Sequence, residues 1–200
     1  MSIAEIKPPA TTGGEGGKKP ISAFLSDIAS IRKRARQHIS DGAVTASYGA
    51  DRETVLRLLN EALATEIICV LRYRRHYFMA NGAMGEVIKS ELLKHAQEEQ
   101  GHADVIAERI VQLGGEPDMN PQTLTSRAHA EYVEGTTLSE MVTEDLVAER
   151  IAIESYTEMI RYLGDTDTTT KRMLEGILAV EEEHAEELAS MLETLTGDRA

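Results

Sequence analysis

Apolar residues recur at three- and four-residue intervals along most of this chain, and glycine- and proline-marked breaks divide the pattern. A helical pattern runs from about Arg52 to Met79 and halts near Asn81–Gly82. It resumes from about Met84 to Leu113 and ends at Gly114–Gly115, a helix-stop signal. A connection of some twenty residues follows, EPDMNPQTLTSRAHAEYVEG, with two prolines. Thr137 and Glu140 have capping-box spacing, which predicts a third helix from there to Gly164. A fourth starts within DTDTTT and runs to about Thr196. Ahead of these, residues 22–40 predict a short helix with Phe24, Ile28 and Ile31 as its apolar stripe, broken at Asp41–Gly42. Residues 1–20, rich in Pro, Gly, Thr and Lys, read as a mobile arm. Long period-2 segments are missing, so β-structure has little support.

Four long helices, short links at 81–83 and 164–167 and one long crossover predict an all-α four-helix bundle. It occupies residues 51–200, with residues 1–50 as an N-terminal arm and short helix.

The bundle stripes contain acids. Glu66 sits among Leu59, Ala62, Leu63, Cys69, Val70 and Tyr73, positions three, four and seven residues away and therefore on one face. Glu99, Glu149 and Glu181 hold the same place in the other three helices. His102 follows Glu99 by three residues, and His184 follows Glu181 by three. The two halves look duplicated: 33 residues separate Glu66 from Glu99, and 32 separate Glu149 from Glu181. Tyr73 and Tyr156 each lie seven residues after the lone Glu of their half. Four buried carboxylates cost several kcal/mol each if unpaired. No Lys or Arg stands in the stripes beside them, so two divalent cations, with two neutral imidazoles, are the expected counter-charge. This is the donor set of dinuclear carboxylate bundles.

Composition narrows the function classes. The formal net charge of −13 argues against a general nucleic-acid binder. The first 50 residues hold seven Lys/Arg against four Asp/Glu, so the acidity lies beyond them. The run Arg32, Lys33, Arg34, Arg36 allows phosphate contact, but a solvated face or an intersubunit contact is the reading taken. Cys69 is the sole cysteine, which removes an internal disulfide and thiolate clusters and fits a reducing cytoplasm. A secretory signal and a run of apolar residues long enough for a membrane span are both missing from the sequence.

Residues 51–196 resemble the bacterioferritin branch of the ferritin-like superfamily, through NEALATEIICVLRYRRHYF, EEQGHADVIAERI, EDLVAERIAIESYTEMIRYLGD and EEEHAEEL. The resemblance implies a ferritin-like bundle with Glu66, Glu99, His102, Glu149, Glu181 and His184 as ferroxidase ligands. Glu99 and Glu181 would bridge two irons, Glu66 and Glu149 would be terminal, and Tyr73 matches a tyrosine near the site. It implies oxidation of Fe(II) by O2 or H2O2, with Mn or Zn as substitute metals. Two departures stand out. Gln100 occupies the place of the family's haem-ligating Met, so no haem is expected there. The family's short fifth helix is missing, which makes a Dps-like cage of twelve subunits the expected homo-oligomer, in preference to twenty-four. Alternatives are a peroxide-consuming di-iron or di-manganese protein, like rubrerythrin or manganese catalase, and a DNA-protecting shell.

Asp145, one turn before Glu149, is expected to fix a ligating histidine, His102, through its second ring nitrogen. His95 is read as packing or exposed in preference to a transient iron site. His38, His76 and His129 are expected on the surface, and Tyr156 and Cys69 in the core.

Overall fold

The computed structural model describes residues 27–37, 39 and 42–197. The predicted arm, Phe24 and His38 lie outside the described residues. Among the described residues there are six helices and no strand: α1 (Ile28–Gln37), α2 (Arg52–Met79), α3 (Gly82–Gln112), α4 (Leu124–Arg127), α5 (Leu138–Leu163) and α6 (Thr168–Thr196). The chain divides into two units, Met1–Ser40 and Asp41–Ala200. α1 belongs to the first and exposes all its residues, including Arg32, Lys33, Arg34 and Arg36.

The second unit is the bundle. α2 packs along α3 and α5 along α6, and the pairs meet through α2–α5 and α3–α6 contacts. The helix starts follow from short polar side chains that satisfy free N–H groups. Asp51 accepts from the Thr54 amide at 2.8 Å, and Asp167 from the Thr170 amide at 2.9 Å. Thr137 and Glu140 form the predicted capping box. At the other end of α5, Gly164 adopts φ +49°, a backbone region that side chains disfavour. α3 begins at Gly82, two residues before the predicted start.

The long crossover, interrupted by α4, is sewn to α2. Arg127 Nη1 donates to the Asn60 carbonyl at 2.9 Å, the His129 amide to Thr65 Oγ1 at 2.9 Å, and Arg72 Nη1 to the Glu131 carbonyl at 3.1 Å. The bonds at His129 and Glu131 satisfy crossover backbone groups that have no helix ladder to pair them.

Among the described residues the apolar interior falls into two large clusters and a small one of Ala64, Ile68 and Leu124 under the crossover. One large cluster contains Leu59, Leu63, Ile106, Ile110, Met159, Leu163 and Leu174, and the other Ile88, Leu92, Val142, Leu146 and Leu188. Along every bundle helix the acids come between the two sets. The site therefore sits at mid-height, where the core is polar.

Candidate metal centre

Six side chains from four helices converge in this break in the core. Glu66, Glu99, Glu149, Glu181 and His184 are at most 1 % exposed, and His102 is 9 % exposed. The inner nitrogen of each histidine faces three carboxylates. His102 Nδ1 lies 3.0 Å from Glu181 Oε1, 3.4 Å from Glu66 Oε2 and 3.4 Å from Glu99 Oε2. His184 Nδ1 lies 3.3 Å from Glu99 Oε1, 3.7 Å from Glu181 Oε2 and 4.0 Å from Glu149 Oε2. Glu99 and Glu181 thus turn one oxygen toward each histidine, while Glu66 and Glu149 serve one histidine each. Two overlapping groups result, Glu66–Glu99–His102–Glu181 and Glu99–Glu149–Glu181–His184.

Buried polar atoms ordinarily have partners. Among the described residues, Glu66 Oε2, Glu99 Oε1, both Glu181 oxygens, His102 Nδ1 and His184 Nδ1 have no hydrogen-bond partner. Most of these atoms point into the same small volume, so a pair of divalent cations fits the donor set. The outer oxygens of the lone acids are occupied: Tyr156 donates its hydroxyl to Glu66 Oε1, and Tyr73 donates to Glu149 Oε1. The seven-residue spacing of tyrosine after acid therefore has a reason. Each tyrosine orients the lone acid of the other half. Tyr156, expected as packing, is core and also donates to Glu66.

Electrostatics follow from burial. Burial first, and then the Glu99 charge, pushes the Glu66 carboxyl up to about 8. Burial, Glu99 and Glu181 push Glu149 well above the carboxylate range. Burial works against charge on His102, but contacts with Glu181, Glu66 and Glu99 prevail and raise it to about 12. The same opposition, with Glu181 and Glu99 prevailing, raises His184 to about 10. Glu99 and Glu181 are held below their ordinary value despite burial, Glu99 by contacts with Glu66 and both imidazoles, and Glu181 by both imidazoles and Glu149.

Two expectations about supporting residues need correction. Asp145 does not hold His102. It accepts from Arg72 Nε at 2.8 Å and lies 2.8 Å from His76 Nδ1. Arg72 and His76 are one turn apart on α2 and face α5. A fully desolvated guanidinium needs a carboxylate, and Asp145 is the one within reach. Accordingly His76, expected on the surface, is 0 % exposed, its Nε2 2.9 Å from the Glu134 carbonyl. His129 is exposed and Cys69 buried, as expected.

The carboxylate behind a histidine is Glu98, whose Oε2 lies 2.8 Å from His184 Nε2. Sequence reasoning missed it because Glu98 lies off the buried stripe, half-exposed, in a run rich in glutamate. Its position three residues after His95, on the edge facing α6, was the only signal. His95 is packed: its ring stacks on His184 with centroids 4.0 Å apart.

Comparison with known proteins bears on the family and the fold. The ferritin-like domain model matches residues 56–197. A DNA protection during starvation protein of Pyrococcus furiosus is 34 % identical over 153 residues, 74 % of this chain and 80 % of that protein. A bacterioferritin of Desulfovibrio desulfuricans is 30 % identical over 132 residues, 65 % of this chain and 69 % of its own. The bacterioferritin-related protein of Bacteroides fragilis, described as a dodecameric thioferritin, superposes with a TM-score of 0.71 at 31 % identity, over 74 % of this chain and 89 % of that one.

Proposed function

The chain belongs to the ferritin-like family, and from that premise we propose that it is a ferroxidase that oxidises Fe(II) at an intrasubunit dinuclear site. The observation that carries this reading is the placement of Glu99 and Glu181, each with one oxygen toward His102 and the other toward His184. Iron is the substrate. Two Fe(II) ions would give up one electron each, reducing O2 with two protons to H2O2, or H2O2 with two protons to two waters, and ferric ion would pass to a store. Carboxylate oxygens suit the harder Fe(III), which favours the oxidised product. The chain's own part is positional. Tyr73 and Tyr156 orient Glu149 and Glu66, Glu98 orients His184, and the apolar clusters above and below limit water. Mn or Zn would occupy the same donors as substitutes.

The assembly we propose is a cage of twelve subunits, supported by the likeness to a protein described as dodecameric. Light scattering tests it: a monomer or dimer at micromolar concentration would remove storage from the reading. Gln100 is exposed and bonded to Asp104 at 2.9 Å. An amide at that position offers no thioether sulfur, so adding haem should give no Soret band. Single-turnover Fe(II) oxidation by wild type and Glu99→Ala tests the activity: the variant should lose fast oxidation.

A second reading, DNA protection, is favoured by the similarity to the Pyrococcus furiosus protein and by the exposed basic face of α1. It requires that removing residues 1–40 abolish DNA retention at moderate salt. Among the described residues no helix is long and apolar enough to cross a membrane.

A further inference from the structure

One turn from the dinuclear site, on the α3–α6 seam, lies a second set of donors. Glu91 and His95 of α3 and Glu187 of α6 each present a ligand atom, all within 4.8 Å of one another. His95 is 0 % exposed. Its ring is fixed on two sides, stacked on His184 and meeting Tyr73 edge-on with centroids 5.2 Å apart. His95 Nε2 lies 2.7 Å from Glu187 Oε2, while Nδ1 has no partner among the described residues. Glu187 is shared with Lys94, whose Nζ is 3.1 Å away on a side chain 40 % exposed.

The internal duplication shows that packing alone does not explain this set. An offset of 82 residues carries Glu99 onto Glu181 and His102 onto His184. The same offset carries Glu91 onto Met173 and His95 onto Ile177, and, read backwards, Glu187 onto Val105. Glu98, behind His184, falls onto Val180. At all four places one half is apolar and the other carries an acid or an imidazole. Ile177 fills its position in the core, so the matching position on the other half does not call for a polar ring.

We propose that Glu91, His95 and Glu187 form an accessory mononuclear site for a divalent first-row cation, Fe(II) in function, on the His184 side of the dinuclear pair. One imidazole and two carboxylates form a borderline donor set suited to Fe(II) and Zn(II). The spacing repeats the logic of the main site: Glu91 and His95 share a helix face one turn apart, and Glu187 reaches across from the neighbouring helix. His95 is locked by its neighbours and sets the position of the ion. The two half-buried carboxylates have room to close on it. Lys94 is a displaceable counter-charge, because its exposed stem can swing the ammonium into water.

Equilibrium dialysis of the full chain against Zn(II), a redox-inert probe, tests the proposal. The expected result is that E91Q/E187Q holds one ion fewer per subunit than wild type. E99Q/E181Q should lose the dinuclear pair yet keep the ion that E91Q/E187Q lacks, so that combining all four substitutions removes every one of these ions. An equal ion count for wild type and E91Q/E187Q overturns the accessory site. If E91Q/E187Q loses its ion while E99Q/E181Q keeps the full wild-type count, the accessory site stands and the dinuclear reading fails.

Discussion

Loading the dinuclear site should expel protons, and the directions of the shifts set the number expected. Four carboxylates and two imidazoles face one another out of contact with water. Without a cation, a charge of −4 there would be heavily penalised. The fold meets this with protons: Glu66 is raised to about 8 and Glu149 well above its ordinary range, while His102 and His184 are raised to about 12 and 10. At neutral pH these four groups hold four protons, and Glu99 and Glu181 remain ionised. The net charge of the six is then zero. With two divalent cations, four carboxylates and two neutral imidazoles, it is again zero. Two ions therefore exchange for four protons, two per ion.

The pH dependence follows from the sign of the shifts. All four protonated groups are raised, so lowering the pH opposes loading. Each proton displaced per ion is worth about 1.4 kcal/mol per pH unit, so affinity should fall about a hundredfold per ion for each unit of acidification below pH 8. Above about 8 the dependence weakens, because Glu66 has already lost its proton. Zn(II) calorimetry at pH 7, in two buffers of different ionisation enthalpy, counts the protons without oxidation. Use of E91Q/E187Q protein confines the count to the pair. Release of one proton per ion or fewer would refute the reasoning, since the two imidazoles alone account for one per ion and the carboxylates would then stay charged without a cation.

Three further predictions rest on single residues. Asp145→Ala leaves the Arg72 guanidinium buried without its carboxylate, so the variant should lose about 3–5 kcal/mol; a melting temperature within about 2 °C of wild type would contradict that. Glu66→Gln should raise the melting temperature of metal-free protein at pH 8. The folded value of Glu66 exceeds its unfolded value, so wild type loses about 1.4 kcal/mol of stability per pH unit above the unfolded value, up to about 8; the gap should close toward pH 5, and a constant gap would argue for packing instead. Glu98→Gln should weaken Zn(II) binding at the His184 position about 10- to 100-fold, because a neutral amide replaces the carboxylate that faces the outer ring nitrogen, fixes the tautomer and raises the basicity of the inner one; unchanged binding in a Zn(II) competition assay would show that Glu98 does not orient His184.

Much of this was legible in the chain because helical periodicity places residues on faces. The acids at Glu66, Glu99, Glu149 and Glu181 stood out as polar residues inside apolar stripes, and the capping box at Thr137 marked a helix start to the residue. What periodicity lacks is the pairing of one helix face with another across the bundle. Asp145 was matched with a histidine of the site because both lie on inward faces. The structure instead sets it opposite Arg72 and His76, which a stripe pattern alone classes as solvated. Glu98 failed to stand out for the converse reason: its carboxylate reaches inward from a half-exposed position. The two tyrosines carried a usable signal in their equal spacing, but only the cross-bundle geometry shows that each serves the acid of the opposite half.

The central claim is that Glu99 and Glu181 are shared by two irons. It is tested most directly by stopped-flow oxidation of two Fe(II) per subunit, in wild type, Glu99→Ala, His102→Ala and His184→Ala. Removing Glu99 takes a donor from both ions at once, whereas each histidine serves one. Fast oxidation should be almost abolished in Glu99→Ala, and a slower phase should survive in each histidine variant. If Glu99→Ala oxidises iron at the wild-type rate, the shared site is wrong.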